Sequence, residues 1–309
     1  MNRKVRTGRK DMTKEMFFVQ MKRDAELLNS AIENLYSVID KQHIDKLVDA
    51  ELYSLMAGGK RIRPIIALAF CRLFGGKDEA VLSYACALEM VHTSSLIHDD
   101  LPCMDNDELR RGKPTNHMVY GESIALLAGD GMIADALGLV AKNKHVVPEL
   151  NLQAVETLAY AAGMYGIAGG QYIDASADKS LFEVDDLEKM YSYKTGALLR
   201  ASAIMGAISA GVSLEDDRMN DVIIYANSIG LAFQIVDDIL DETGTVELLG
   251  KNPGRDKKEK KVTYLNFYTI HDSFNRARRL TQKAIAAIEK YDNNEFLIEL
   301  ANYLLNRKN

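Results

Sequence analysis

Apolar residues recur along most of this chain at steps of three and four. Met16, Val19, Leu27, Leu28, Ala31, Leu35 and Val38 mark one such stripe, the spacing of a helix that buries one face. The same periodicity runs over 44–56, 64–74, 78–98, 121–141, 151–172, 185–208, 217–241 and 272–306. No stretch alternates with period two for long, and no Asn-Gly or Asp-Gly pair is flanked by strand-like runs. The breaks are short: Gly58-Gly59, Gly75-Gly76, 101–115 and 243–261. The pattern predicts one all-α domain over 1–309, a single bundle of roughly ten or more helices, with 1–12 a flexible basic tail. Segments 121–141 and 217–241 are apolar round most of their circumference. Such helices belong at the centre of a large bundle. Charged groups on them must then face each other or an internal cavity, because an unpaired buried charge is costly.

Composition narrows the function classes. The chain has 309 residues, 47% hydrophobic and 27% charged, with 5 prolines and no tryptophan; it is neither disordered nor low in complexity. A net charge of -6 makes it a poor general binder of nucleic-acid backbone, so no nucleic-acid partner is expected. Cys71, Cys86 and Cys103 form no CxxC pair; they read as free thiols of a reducing, cytoplasmic setting. The longest uncharged stretch, 157–173, holds four glycines and falls short of the ~20 apolar residues of a membrane span. Stable membrane insertion is therefore not expected. Arg3, Lys4, Arg6, Arg9 and Lys10 precede no apolar run, which argues against a secretory leader.

Two aspartate clusters carry the chemistry. Leu96-Ile97-His98-Asp99-Asp100-Leu101-Pro102-Cys103-Met104-Asp105 ends one apolar helix in carboxylates, and Phe233-Gln234-Ile235-Val236-Asp237-Asp238-Ile239-Leu240-Asp241 repeats the pattern. Asp237 and Asp241 are four apart and share a helix face. Pro102 disfavours helix at Leu101, which leaves Asp105 in a bend or irregular turn. So many close carboxylates require a cation. Oxygen donors without thiol or imidazole in ligand spacing suit Mg2+, which keeps waters and binds substrate phosphates. Basic segments complement them: Gly58-Gly59-Lys60-Arg61-Ile62-Arg63-Pro64, Arg110-Arg111-Gly112-Lys113, Lys194-Thr195-Gly196, and Lys251, Lys257, Lys258, Lys260 and Lys261. Arg forks and Lys point charges both bind phosphate oxygens. Carboxylates, Mg2+ and cations on one cavity describe a diphosphate site; no glycine-rich phosphate loop competes with that reading.

At these residues the chain resembles the trans-isoprenyl diphosphate synthases, the farnesyl and geranylgeranyl diphosphate synthase family. GGKRIRP (58–64), HDDLPCMDNDELRRGKPTNH (98–117), GGQYID (169–174), KTG (194–196) and FQIVDDILD (233–241) stand in family order, and the resemblance runs from about Lys22 to Arg307. It implies the isoprenoid synthase fold, a helical bundle around a deep central cavity, and usually a homodimer. It implies Mg2+ as cofactor, three ions with the substrate diphosphate, and isopentenyl and allylic diphosphates as substrates. Carried over by motif, Asp99 and Asp105 ligate Mg2+ with Asp100 in support; Asp237 ligates from the second cluster, helped by Asp241. Arg110, Lys194 and Lys251 hold the allylic diphosphate. Lys60, Arg63, His92 and Arg111 hold isopentenyl diphosphate, and Lys261 closes the second flank. Thr195 and Gln234 lie beside the allylic carbons, and Gln171 and Asp174 orient ligands or metal waters. The alternative for His92 is a satisfied core histidine.

The implied reaction ionises the allylic diphosphate, joins the cation head-to-tail to isopentenyl diphosphate, and loses a proton to the departed diphosphate. Ser94 and Ser95 are small and precede Asp99 by five and four residues; Ser95 lies one turn deeper on the Asp99 face. That predicts an open tail pocket closed lower down, near Leu126, Leu127 or Met132, and a C20 product slightly ahead of C15. Rival readings are a class I terpene cyclase and a non-catalytic modulatory subunit. The second cation set argues against the cyclase, and two intact aspartate clusters argue against the subunit.

Overall fold

The computed structural model describes residues 12–176, 181–243 and 262–307. Its elements are α1 (Lys14–Ser37), α2 (Asp45–Leu55), α3 (Ile62–Leu73), α4 (Asp78–Asp99), β1 (Leu109–Arg110), β2 (Lys113–Pro114), α5 (Asn116–Tyr120), α6 (Glu122–Ala141), α7 (Pro148–Ala162), α8 (Ile167–Ser176), α9 (Val184–Tyr191), a π-helical turn (Ser192–Gly196), α10 (Ala197–Ser209), α11 (Arg218–Thr243), a 3-10 turn (Tyr264–Asn266), α12 (Ile270–Ile288) and α13 (Glu295–Asn306). The fold is an all-α bundle. Local signals start the helices: Thr13 accepts the Met16 N–H and Thr269 accepts the Asp272 N–H, satisfying donors that a helix start leaves open.

The centre is built from α3, α4, α10 and α11. α10 packs on α3, α4, α7 and α11, and α4 packs on α3 and α6. Phe70, Leu68, Leu88, Leu198 and Tyr225 are fully buried there; each large apolar side chain removed from water contributes roughly 1.5–3 kcal/mol.

The structure departs from the sequence expectations at five places. The stretch 151–172 is two helices, α7 and α8, divided at Gly163–Gly166. The stretch 185–208 is interrupted by the π turn, and 272–306 breaks between α12 and α13, where Asn293 adopts φ 60 and buried Asn294 donates to the Ile288 carbonyl. A two-residue antiparallel hairpin, β1–β2, sits inside 101–115, too short to show as alternation. Fifth, three helices among the described residues are long and apolar enough to cross a membrane: α4, α6 and α11. Scattered charges hide them from a search for uncharged runs. The apolar windows of α4 and α11 are 67% and 56% buried within the bundle, that of α6 only 33%.

Candidate active site

The two aspartate clusters end α4 and lie on α11. Where α4 stops, the chain folds back: the Asp105 N–H donates to the Asp99 carbonyl at 2.9 Å and the Asn106 N–H to the Leu101 carbonyl at 3.1 Å. These bonds satisfy carbonyls at the helix end and bring Asp105 beside Asp99. Burial pushes the Asp99 carboxyl up to about 6; Lys194 opposes that shift and Asp105 adds to it. A carboxylate so poorly compensated by its surroundings favours an added cation.

The next residue behaves differently. Asp100 is 3% exposed and accepts from Arg110 Nε at 2.8 Å and from Arg110 Nη2. The expectation put Asp100 with the metal ligands; the structure puts it under Arg110, whose orientation it fixes. The Arg110 Nη1 group is left to reach other anions. Lys194 is likewise paired, with Asp174 at 2.5 Å. Gly170 allows this approach: a Cβ there would stand 2.3 Å from the Lys194 backbone nitrogen. The GGQYID segment thus serves as a seat for the Lys194 turn. Gln171, Thr195 and Gln234 are half-buried, on α8, the π turn and α11 respectively.

On α11 the three aspartates separate. Asp237 keeps 43% side-chain exposure and pairs with Arg307 at 2.6 Å. Asp238 is buried and accepts from the Tyr191 hydroxyl and the Tyr264 N–H, both at 2.7 Å. Asp241 is only 5% exposed. The shared face expected for Asp237 and Asp241 therefore holds one open and one buried carboxylate.

A second locus lies between α3, α4 and α11. Gly59, Lys60, Arg63, His92, Arg111, Phe233 and Arg307 line a cavity of about 370 Å3 with Arg61 and Glu89. Arg61 does not face a ligand as a free cation. It adopts φ 52, turns inward and donates to Glu89 at 2.5 Å. Breaking such a buried pair typically costs about 3–5 kcal/mol, so it braces the wall. Arg111 rests over Gly59 and donates to the Gly58 carbonyl; a Cβ on Gly59 would collide with the guanidinium at 2.6 Å. His92 Nε2 lies 3.3 Å from Arg63 Nη1. Burial, then Arg63 and Arg111, hold the imidazole well below its ordinary pKa; it is neutral and accepts from Arg63. His92 thus orients Arg63 within the cavity wall. Arg63 Nε is buried with no hydrogen-bond partner. Burial lowers the Arg63 pKa to about 10, with Arg111 adding to the fall; the group stays charged at neutral pH.

Lys251 and Lys261 lie outside the described residues. Ser94 is 1% exposed and Ser95 half-buried; their hydroxyls bond back to the Val91 and His92 carbonyls. Only Ser95 therefore has accessible surface. Leu126 and Leu127 are 47% and 56% exposed, on the outside of α6 rather than at the bottom of a pocket, which corrects the floor expected there; Met132 is fully buried. Cys71 and Cys86 are buried and Cys103 is exposed.

Among the described residues no three Asp, Glu, His or Cys side chains form a ready cage for a metal ion. Asp99, Asp105 and Asp237 nevertheless fit Mg2+, which is usually held by one or two carboxylates completed by phosphate oxygens and water. The sequence reading missed Arg307 and gave no role to Phe233. Arg307 follows an ordinary amphipathic helix, and only the fold brings it to a carboxylate 70 residues away.

Comparison with known proteins shows the family and the fold. A family model described as polyprenyl synthetase matches residues 44–301. A geranylgeranyl diphosphate synthase of Cyanophora paradoxa is 47% identical over 266 residues, covering 85% of this chain and 88% of that protein. A dimethylallyltranstransferase of Fischerella ambigua is 44% identical over 285 residues, covering 91% and 81%. Among solved structures, an FPP/GFPP synthase from Zymomonas mobilis superposes with a TM-score of 0.82 at 33% identity, covering 94% of this chain and 98% of that one. A geranyltransferase from Legionella pneumophila gives a TM-score of 0.84 at 29% identity, covering 95% and 98%. With paired acidic segments on two central helices and a cation-lined cavity between them, the chain belongs to the polyprenyl synthetase family.

Proposed function

We propose that this chain is a short-chain trans-prenyltransferase that condenses isopentenyl diphosphate with allylic diphosphates to C15 and C20 products. The observation that carries the reading is the cavity of Lys60, Arg63, His92 and Arg111, whose lining Arg307 reaches Asp237 of the second aspartate cluster. It offers a metal-free anion pocket next to a carboxylate site, the arrangement two diphosphates need. Asp99, Asp105 and Asp237 would hold Mg2+, as many as three ions, which when bound would supply positive charge against the departing diphosphate.

The chain's own groups do the rest. Arg110 Nη1 and Lys194 hold the allylic diphosphate in place, each oriented by its carboxylate, Asp100 or Asp174. They stabilise charge that grows as the C–O bond breaks. The Thr195 hydroxyl and the Gln234 amide oxygen present negative dipole to the allylic carbons without attacking them. Arg63, Lys60 and Arg111 fix isopentenyl diphosphate so that its double bond meets the cation. The proton leaves to the departed diphosphate, so no protein general base is required. In this reading Lys251 holds the allylic diphosphate with Arg110 and Lys194, Lys261 closes the second flank, and Gln171 and Asp241 support the ligands and metal.

Exposed Met118, Val119, Leu126, Leu127 and Leu152 on α5, α6 and α7 support association through that face as a homodimer, and the free thiols support a reducing, cytoplasmic setting. No nucleic acid and no stable membrane insertion enter the reading. The test is product analysis with Mg2+, isopentenyl diphosphate and dimethylallyl, geranyl or farnesyl diphosphate in turn. Geranylgeraniol after dephosphorylation, with farnesyl diphosphate consumed, supports C20. Farnesol alone assigns C15. No condensation with any starter overturns the reading in favour of a non-catalytic subunit.

A further inference from the structure

Arg307 stands between the two loci. Its side chain is 6% exposed and pairs with Asp237 Oδ1 at 2.6 Å. Its Nη2 also donates to the Phe233 carbonyl at 2.9 Å, and the guanidinium carbon lies 3.6 Å from the Phe233 ring centroid. Its Nε is buried with no hydrogen-bond partner. The same side chain lines the cavity with Lys60, Arg63 and Arg111. The charge connection is felt at Lys60, whose pKa is lowered by burial and then by Arg307, with Asp237 opposing.

One guanidinium therefore touches both the second carboxylate cluster and the isopentenyl diphosphate cavity. Its position answers to charge on either side. A metal ion arriving at Asp237 supplies the positive charge that Arg307 supplies in the structure, and repels the guanidinium. A diphosphate in the cavity attracts it from the other side. Phe233 holds the flat face of the guanidinium throughout, so the fork can turn without leaving its seat.

We propose that Arg307 is a positioning residue that couples the two substrate sites: it neutralises Asp237 until the allylic diphosphate and its metal bind there, and is then transferred to isopentenyl diphosphate. This rests on the assignment of the cavity to isopentenyl diphosphate. Coupling of binding sites is reciprocal and commonly amounts to a 5–150-fold change in affinity. Each substrate thus tightens the other, which favours ionisation only when the acceptor double bond is present and limits loss of the cation to water.

The test is titration calorimetry on the full chain. Isopentenyl diphosphate is titrated with and without Mg2+ and a non-ionising allylic thiolodiphosphate. The wild-type protein should bind it roughly tenfold more tightly when the allylic analogue is present. Arg307→Gln should bring that ratio close to one, and Arg307→Lys should recover part of it. Asp237→Asn should bind isopentenyl diphosphate more tightly than wild type in metal-free buffer, because Arg307 has lost its carboxylate. A loss of packing alone would not produce that gain, and the variant keeps the coupling testable if Arg307→Gln fails to fold. An undiminished ratio in folded Arg307→Gln overturns the coupling, as does unchanged metal-free affinity in Asp237→Asn. If the wild-type protein itself shows no heat with isopentenyl diphosphate, the cavity assignment fails first and takes the coupling with it.

Discussion

On the cavity side of the site, Lys60, Arg63 and Arg111 converge, and the one carboxylate among the lining residues, Glu89, is held by Arg61. On the other side Arg110 pairs with Asp100, Lys194 with Asp174 and Asp237 with Arg307, while buried Asp99 stays poorly compensated beside Asp105. The cavity is thus built with surplus positive charge, ready for an anion that brings no metal. The carboxylate side keeps uncompensated negative charge at Asp99 and Asp105, which suits a metal that comes with a diphosphate. Two anionic ligands of similar headgroup can be told apart on that basis: one fits cations alone, the other fits cations plus a metal.

The sharpest way to break the comparison is Asp99→Asn. Removing the carboxylate with the least compensation should lower kcat about 10^3-fold, with the isopentenyl diphosphate KM moved less than about threefold, in steady-state assays at saturating Mg2+. A KM effect of equal size would mean that the two sides are not separate. Glu51 extends the contrast to a carboxyl that meets a hydroxyl and no cation among the described residues. It accepts from Tyr36 at 2.8 Å, and burial pushes it up to about 7 from 4.5. The unfolded chain ionises this group first, so its contribution to stability falls as pH rises from 4.5 to 7. Above that range the cost is fully present, about 3 kcal/mol. Urea unfolding at pH 5 and pH 8 should show that loss in wild type and a much smaller one in Glu51→Gln.

Arg63→Ala should raise the isopentenyl diphosphate KM by roughly 10–100-fold, the scale of one or two charge-assisted hydrogen bonds, with the allylic KM unchanged. Last, Ser95→Phe should shift products towards shorter chains, whereas Ser94→Phe should overpack a buried position and lower stability by about 1–3 kcal/mol. Equal product shifts from both would show that the tail passes Ser94 as well.

Much of this was legible in the sequence because it is local. Helical periodicity gave the bundle, and the Asp99, Asp105 and Asp237 positions follow from motifs read within ten residues. Pairing was not legible. Asp100 looks like Asp99 in sequence, and only the hairpin that returns Arg110 decides between metal and guanidinium. Asp237 and Asp241 share a face by arithmetic, yet the packing over α11 buries the second. Ser94 and Ser95 are both small, and only their neighbours distinguish an accessible side chain from a sealed one. Arg307 carried no local signal, since its partner lies 70 residues away.

The π turn at Ser192–Gly196 has a consequence for insertions and deletions. A turn of this kind holds one residue more than an α-helical turn. Deleting a single residue here would let α9 run into α10 as regular helix, a locally easier backbone. The helices on either side would keep their phase, because the turn takes up its extra residue within one revolution. What would be lost is the widened turn itself, which carries Lys194 opposite Asp174. The shorter chain would fold at least as readily along that helix and lose the chemistry.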